Sequence, residues 1–260
     1  MTEPIRVEVD GPVLTVTIDR PKANAIDAAT SRAMGRVFAG FRDDPDLRVA
    51  ILTGAGDRFF SAGWDLSAAA AGEAPDSDYG KGGFGGIARL PGLRKPVIAA
   101  VNGMAVGGGF ELALACHLVV AVDEAMFWLP ETKVGVIADA ACLRLPGRLP
   151  QARAMELLLT GKKLDASEAC AWGLVNRVVA RGELLATARA IASDIIAGAP
   201  LAVASVLEIV QATDGLSLEQ AYALLDDDKL PVYRTMLRSE DAQEGPAAFA
   251  AKREPAWKGR

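Results

Sequence analysis

The chain has 260 residues, 51% of them apolar, and a formal net charge of −5. That is enough apolar material for a large core in one or two domains. The acidic balance, relieved only by a modest basic tail "KREPAWKGR", argues against nucleic acid or an anionic membrane as a partner.

No uncharged apolar run reaches the ~18–20 residues that a membrane-spanning helix needs. The opening "MTEPIRVEVD" has neither the basic n-region nor the apolar h-region of a signal peptide. Cys116, Cys142 and Cys170 are odd in number and far apart. They suit reduced thiols in the cytoplasm, with neither a disulfide framework nor zinc spacing. The single histidine, His117, lies between "LALAC" and "LVVAV". In that apolar setting it reads as a structural residue, and histidine-pair metal signatures are absent.

In chain order, "IRVEVD" and "VLTVTID" predict two strands joined at Gly11-Pro12. Helical spacing of apolar residues predicts a helix over 28–41. "RVAILTG" predicts a buried strand, and "SAGWDL" a loop or short turn. Residues 70–86, rich in Gly, Asp and Pro, predict a mobile surface loop. "KPVIAAV" and "HLVVAVD" predict two more buried strands. Beyond Pro150 the pattern turns mostly helical. The expected fold is an α/β core followed by a helical C-terminal part.

Between "PVIAAV" and "FELALAC" stand Gly103, Gly107, Gly108 and Gly109, and then a lone carboxylate, Glu111. Residues 107–109 should form the first turn of a helix. The first N–H groups of a helix have no partner inside it and sit at its positive end. Glycine lets another molecule approach that backbone, so the segment suits an anion. The spacing does not match G-x-G-x-x-G or a P-loop, which weakens a phosphate reading. A developing enolate or tetrahedral oxygen fits as well, and so does plain close packing. "DRFFSAGWDL" is a second glycine-bearing bend after a buried strand. Two such turns facing each other would offer two N–H donors to one oxygen. Ser61 lacks the nucleophile-elbow pattern and reads as structural.

"FFSAGWDL" with "NGMAVGGGFELALACHLVVAVDEAMFWLPETKVG" resembles the crotonase, or enoyl-CoA hydratase/isomerase, superfamily. "RPKANAIDA", "LTGKKLDASEACAWGLVNRVV" and the ending "WKGR" extend the resemblance over the whole chain. Within the superfamily "RPKANAIDA", "FRDDPDLRVAI", "FFSAGWDL" and the ending "WKGR" are most similar to the carnitinyl-CoA dehydratases (crotonobetainyl-CoA hydratases). The resemblance implies a crotonase-like spiral of ββα units. Residues 1–195 would be the core with the acyl-CoA site, and residues 196–260 a helical region for oligomerisation. It also implies a homotrimer or a hexamer made of two trimers, with no cofactor beyond the coenzyme A carried by the substrate.

The resemblance further implies an oxyanion hole from the backbone N–H groups of Trp64 and Gly108. It implies two catalytic carboxylates, Glu111 and Glu131. Adding water across an α,β-unsaturated thioester needs a base for the water and an acid for the α-carbon, and carboxylates can do both. By the family's pattern Glu131 handles the α-carbon proton and Glu111 holds and activates water, though the two roles could be exchanged. Lys22, Ala25, Ala62, Asp65 and Leu66 match coenzyme A positions. Phe249 and Lys252 match tail positions that reach a neighbouring subunit's coenzyme A. Phe84, Trp128 and Asp139 are candidates for the acyl pocket, together with the Trp64 ring.

One run departs from the family pattern. Where the family shows a proline and then a glycine-rich run, this chain has "ADAACLRLPG", residues 138–147. That loop normally borders the acyl pocket. Three activities remain open: hydration of crotonobetainyl-CoA to carnitinyl-CoA, generic hydration of fatty enoyl-CoA, or binding of acyl-CoA without catalysis.

Overall fold

The computed structural model describes residues 4–260. The first three residues of the N-terminal stretch read above lie outside them. The chain divides into two compact units. One runs to Leu93 and resumes over Val97–Ile191; the other is Arg94–Pro96 with Ala192–Arg260.

The first unit opens with β1 (Ile5–Asp10) and β2 (Val13–Ile18), an antiparallel pair. Then come α1 (Ala28–Asp43), β3 (Val49–Gly54), β4 (Phe59–Ser61) and the short α2 (Leu66–Ala70). Next are β5 (Val97–Val101), β6 (Met104–Val106) and α3 (Gly108–Ala115), followed by β7 (Leu118–Val122) and β8 (Met126–Trp128). A 3₁₀ turn, Glu131–Val134, precedes α4 (Asp139–Arg144). The unit continues through α5 (Gln151–Thr160), β9 (Lys163–Asp165), α6 (Ala166–Ala171) and β10 (Arg177–Val179) into α7 (Leu184–Ile196).

At β3/β4, β5/β6 and β7/β8 the chain leaves one strand in a large sheet and the next in a small one. The large sheet has the order β1-β2-β3-β5-β7-β10 and the small one β4-β6-β8-β9. This is the expected spiral of ββα units. From β2 onward the large sheet is parallel. Every residue of β3 and β5 is buried, as continuous apolar strands require when both sheet faces are covered. Asp27 caps α1 by accepting the Thr30 N–H at 2.7 Å, and the helix buries Met34, Phe38 and Phe41.

Two differences from the sequence reading bear on the site. The strands of the small sheet are three residues long, too short for an alternating pattern to reveal. Residues 70–86 are also not wholly a surface loop. Phe84–Gly86 form a 3₁₀ turn with Gly85 and Gly86 buried, and the Gly85 N–H donates to Ser31 Oγ of α1 at 3.1 Å. Glycines marked this run as loop, and here they are what lets it pack under α1.

The second unit holds α8 (Pro200–Ala212), α9 (Leu218–Asp226), α10 (Pro231–Arg238) and α11 (Glu240–Ala250). Its buried Glu208 pairs with Arg94 at 3.1 Å and accepts the Tyr233 N–H at 2.9 Å. The buried Asp241 carboxylate accepts the Lys258 and Gly259 N–H groups at 2.7 and 2.8 Å, tying down the tail. Val206, Val210 and Tyr222 are exposed. Among the described residues no single helix is long and apolar enough to cross a membrane.

Candidate active site

The two glycine turns read from the sequence meet in the first unit. Gly63 stands just past β4, with a φ of +77° that only glycine adopts freely. A methyl group built on it would meet the Gly108 nitrogen and the Val106 oxygen, each at 2.6 Å. Ser61 holds the turn: its Oγ donates to Asn24 O at 2.7 Å and accepts the Gly63 N–H at 3.0 Å. The structural reading of Ser61 is correct.

The neighbouring bonds set the direction of the next N–H. The Ile26 N–H donates to Gly63 O, and the Asp65 N–H donates to Ile26 O. In this parallel bridge the Trp64 N–H therefore points away from Ile26. On the other turn, Gly107 caps α3 at a φ of +55° and donates to Trp128 O at 2.8 Å. Gly108 is then the first helical residue. Neither the Trp64 N–H nor the Gly108 N–H donates to an acceptor among the described residues. Two free donors beside one another suit a single oxyanion.

Both glutamates lie at this junction. Glu111, on α3, is buried at 8% exposure, and its Oε1 accepts the Ala141 N–H of α4 at 2.9 Å. Burial pushes its carboxyl up to about 7; the Asp139 and Glu131 charges add to this and the Ala141 bond opposes it. Glu131, in the 3₁₀ turn, is half-buried, and burial raises its carboxyl too. A methyl group on Gly107 would meet Glu131 Oε1 at 2.5 Å. Its Oε2 is buried with no hydrogen-bond partner among the described residues. A raised carboxylate pair beside two free N–H donors can move protons next to a stabilised oxyanion.

The acyl-pocket candidates lie in different settings. The Phe84 ring packs on Gly108: a methyl group there would meet Phe84 Cε1 at 2.5 Å. Asp139 is exposed, pairs with Arg89 at 3.2 Å and acts electrostatically on Glu111. The Trp128 indole donates to Gly161 O at 2.8 Å, with Lys163 Nζ 4.7 Å from the ring centroid, so its polar edge and one face are engaged. The Trp64 indole donates to Glu73 Oε1 at 3.0 Å. The departing run 138–147 forms α4 and a following 3₁₀ turn, and it still supplies the Ala141 N–H to Glu111.

The coenzyme A candidates divide between the units. Lys22, at a φ of +71°, lines a cavity of about 290 Å³ with Asp19, Arg20, Asn24, Asp57, Arg58 and Phe59. Ala25 O accepts from Arg20 Nη1 at 2.8 Å, and the Ala62 N–H donates to Ala23 O at 2.9 Å. Asp65 caps α2 and pairs with Arg20 at 3.1 Å, whereas Leu66 is exposed. Phe249, 87% exposed, and Lys252 lie at the end of α11 in the second unit. His117 has a structural role: its Nδ1 accepts the Val97 N–H at 3.0 Å, and burial lowers its pKa to about 4.

Sequence reasoning missed Ala141 and Glu73. Ala141 acts through a hydrogen bond to Glu111 on another helix, and Glu73 through bonds to Trp64 and Ala28 on other segments, so no local pattern marks them. Among the described residues no group of three or more metal-ligating side chains comes together.

Comparison with known proteins identifies the family. The family model described as enoyl-CoA hydratase/isomerase matches residues 8–260. The chain is 56% identical over 260 residues to a carnitinyl-CoA dehydratase of Salmonella arizonae, and 55% identical over 261 residues to one of Citrobacter koseri; each alignment covers all of both chains. The structure matches an enoyl-CoA hydratase of Mycobacterium marinum with a TM-score of 0.90 at 43% identity, covering 99% of this chain and 100% of the other. A Bacillus anthracis enoyl-CoA hydratase matches with a TM-score of 0.90 at 32% identity, with the same coverage of this chain. The chain has the crotonase fold and belongs to the enoyl-CoA hydratase/isomerase family.

Proposed function

We propose that this chain is a hydro-lyase that reversibly adds water to crotonobetainyl-CoA, giving carnitinyl-CoA. The observation that carries the reading is the pair Glu111 and Glu131, both held above the ordinary carboxylate range beside two free N–H donors. Full-length identity to carnitinyl-CoA dehydratases supports the choice of acyl group.

In this reading the thioester oxygen lies between the Trp64 and Gly108 N–H groups. Glu111 takes a proton from water as the water oxygen bonds to the β-carbon. Electron density moves to the thioester oxygen, where the two N–H groups stabilise it. Glu131 then gives its proton to the α-carbon as the carbonyl re-forms. Dehydration is the reverse. Coenzyme A enters as part of the substrate, with Lys22 suited to phosphate, Ala25, Ala62, Asp65 and Leu66 in the same part of the chain, and Phe249 and Lys252 acting from a neighbouring subunit. Exposed apolar residues on α8 and α9, such as Val206, Val210 and Tyr222, favour a homotrimer or a hexamer. The odd, widely spaced cysteines favour the cytoplasm.

The test is incubation of pure protein with crotonobetainyl-CoA and with crotonyl-CoA, following loss of the conjugated enoyl-thioester absorbance. Turnover of crotonobetainyl-CoA with the higher kcat/KM supports the reading. Equal or better turnover of crotonyl-CoA points to a generic hydratase, and no turnover of either to an acyl-CoA-binding protein.

A further inference from the structure

Glu73 lies in the stretch between α2 and the Phe84 turn, away from both catalytic carboxylates in sequence. Its Oε1 accepts the Trp64 indole N–H at 3.0 Å. The same carboxylate accepts the Ala28 N–H at the start of α1, at 3.0 Å through Oε2 and 3.2 Å through Oε1. That end of α1 already has Asp27 as its cap. Helix capping alone therefore leaves the bond to Trp64 unexplained.

Aromatic residues stand at both oxyanion donors. Trp64 supplies one of the two free N–H donors, and the Phe84 ring lies against Gly108, which supplies the other. Tyr79 meets Phe84 edge-on, with centroids 5.5 Å apart. Burial, and then the charges of Glu73, Asp76 and Asp139, push the Tyr79 phenol up to about 12, which places these carboxylates within electrostatic reach of the Tyr79 ring. A neutral acyl chain has no use for negative charge there. A cation over an aromatic face does, because the face attracts it through the ring quadrupole. A carboxylate accepting from the indole N–H pushes electron density into that ring and adds its own field.

We propose that Glu73 is a positioning and specificity-determining residue that acts through Trp64 to favour an acyl group ending in a quaternary ammonium. This rests on the crotonobetainyl-CoA reading above. Glu73 does not touch the reacting atoms. It fixes the indole and makes its face a better seat for positive charge than an unpaired tryptophan would be.

The test compares crotonobetainyl-CoA with 5,5-dimethylhex-2-enoyl-CoA, in which a quaternary carbon replaces the nitrogen. The readout is the ratio of the two kcat/KM values within one preparation, so partial loss of folded protein cancels. In Glu73→Gln a single amide oxygen in place of Oε1 can still reach both the indole and Ala28, while the charge is gone. The wild-type ratio should favour the cation, and Glu73→Gln should lower it about tenfold, about 1.4 kcal/mol. The loss should come from kcat/KM of the cationic substrate, with the neutral one unchanged. Trp64→Phe, which keeps a ring but removes the donor, should lower the ratio as well, and the double variant should fall short of the product of the two losses. A wild-type preference that survives Glu73→Gln, or losses that multiply in full, overturns the role of Glu73 and leaves the proposed reaction intact. A wild-type ratio near one overturns both.

Discussion

Replacing Glu111 by glutamine should separate stability from activity. The carboxyl is buried and pushed from its ordinary 4.5 up to about 7. Between those two pH values the folded protein holds a proton that the unfolded chain has released. Stability must therefore fall as pH rises from about 4.5 to about 7, and level off above that. At about 1.36 kcal/mol per pH unit, the full loss is about 3 kcal/mol. Glutamine cannot ionise, and its oxygen can still accept the Ala141 N–H. At about pH 8 the Glu111→Gln protein should be more stable than wild type by up to about 3 kcal/mol, and at about pH 4 the two should converge. Urea unfolding of both proteins at the two pH values measures this. The same variant should lose hydration activity by at least about 10²-fold, because an amide exchanges no proton with water. Equal stability at about pH 8, or a gap that widens toward about pH 4, would refute the assignment of a raised, buried carboxyl.

Other outcomes follow from the same geometry. If Glu111 activates water it must be ionised, so kcat/KM for hydration should rise through a pH of about 7; a limb that falls there would exchange the roles of Glu111 and Glu131. Gly63→Ala puts a methyl group 2.6 Å from the Gly108 nitrogen at a positive φ. It should cut kcat by about 10²–10³ through displacement of one oxyanion donor, and a wild-type rate would remove this turn from the site. Asp241→Ala frees two backbone N–H groups of the tail and should cost about 2–3 kcal/mol in urea unfolding while exposing the last residues to protease; unchanged cleavage would show that the tail is held by other contacts.

The sequence by itself determined the parts governed by short-range rules. Continuous apolar runs over 49–54 and 97–101 gave buried parallel strands, and an apolar stripe behind Asp27 gave α1. Gly107 and Gly63 marked turns that need positive φ, and a residue without Cβ is the only easy occupant there. The resemblance carried by "FFSAGWDL" and "NGMAVGGGFEL" then led to the family. The tertiary structure decided what depends on distant residues. The three-residue strands β4, β6 and β8 of the small sheet form because the preceding long strand delivers each of them beside its neighbour, and no local preference would hold them. The glycine-rich stretch before Ile87 packs under α1 because Ser31 supplies an acceptor for its backbone. The pKa of Glu111 is set by burial and by two carboxylates contributed from other turns of the spiral, and the Trp64 indole meets Glu73 only after the loop folds back. Composition and spacing carry no trace of such pairings, because each depends on where the backbone has brought the partner.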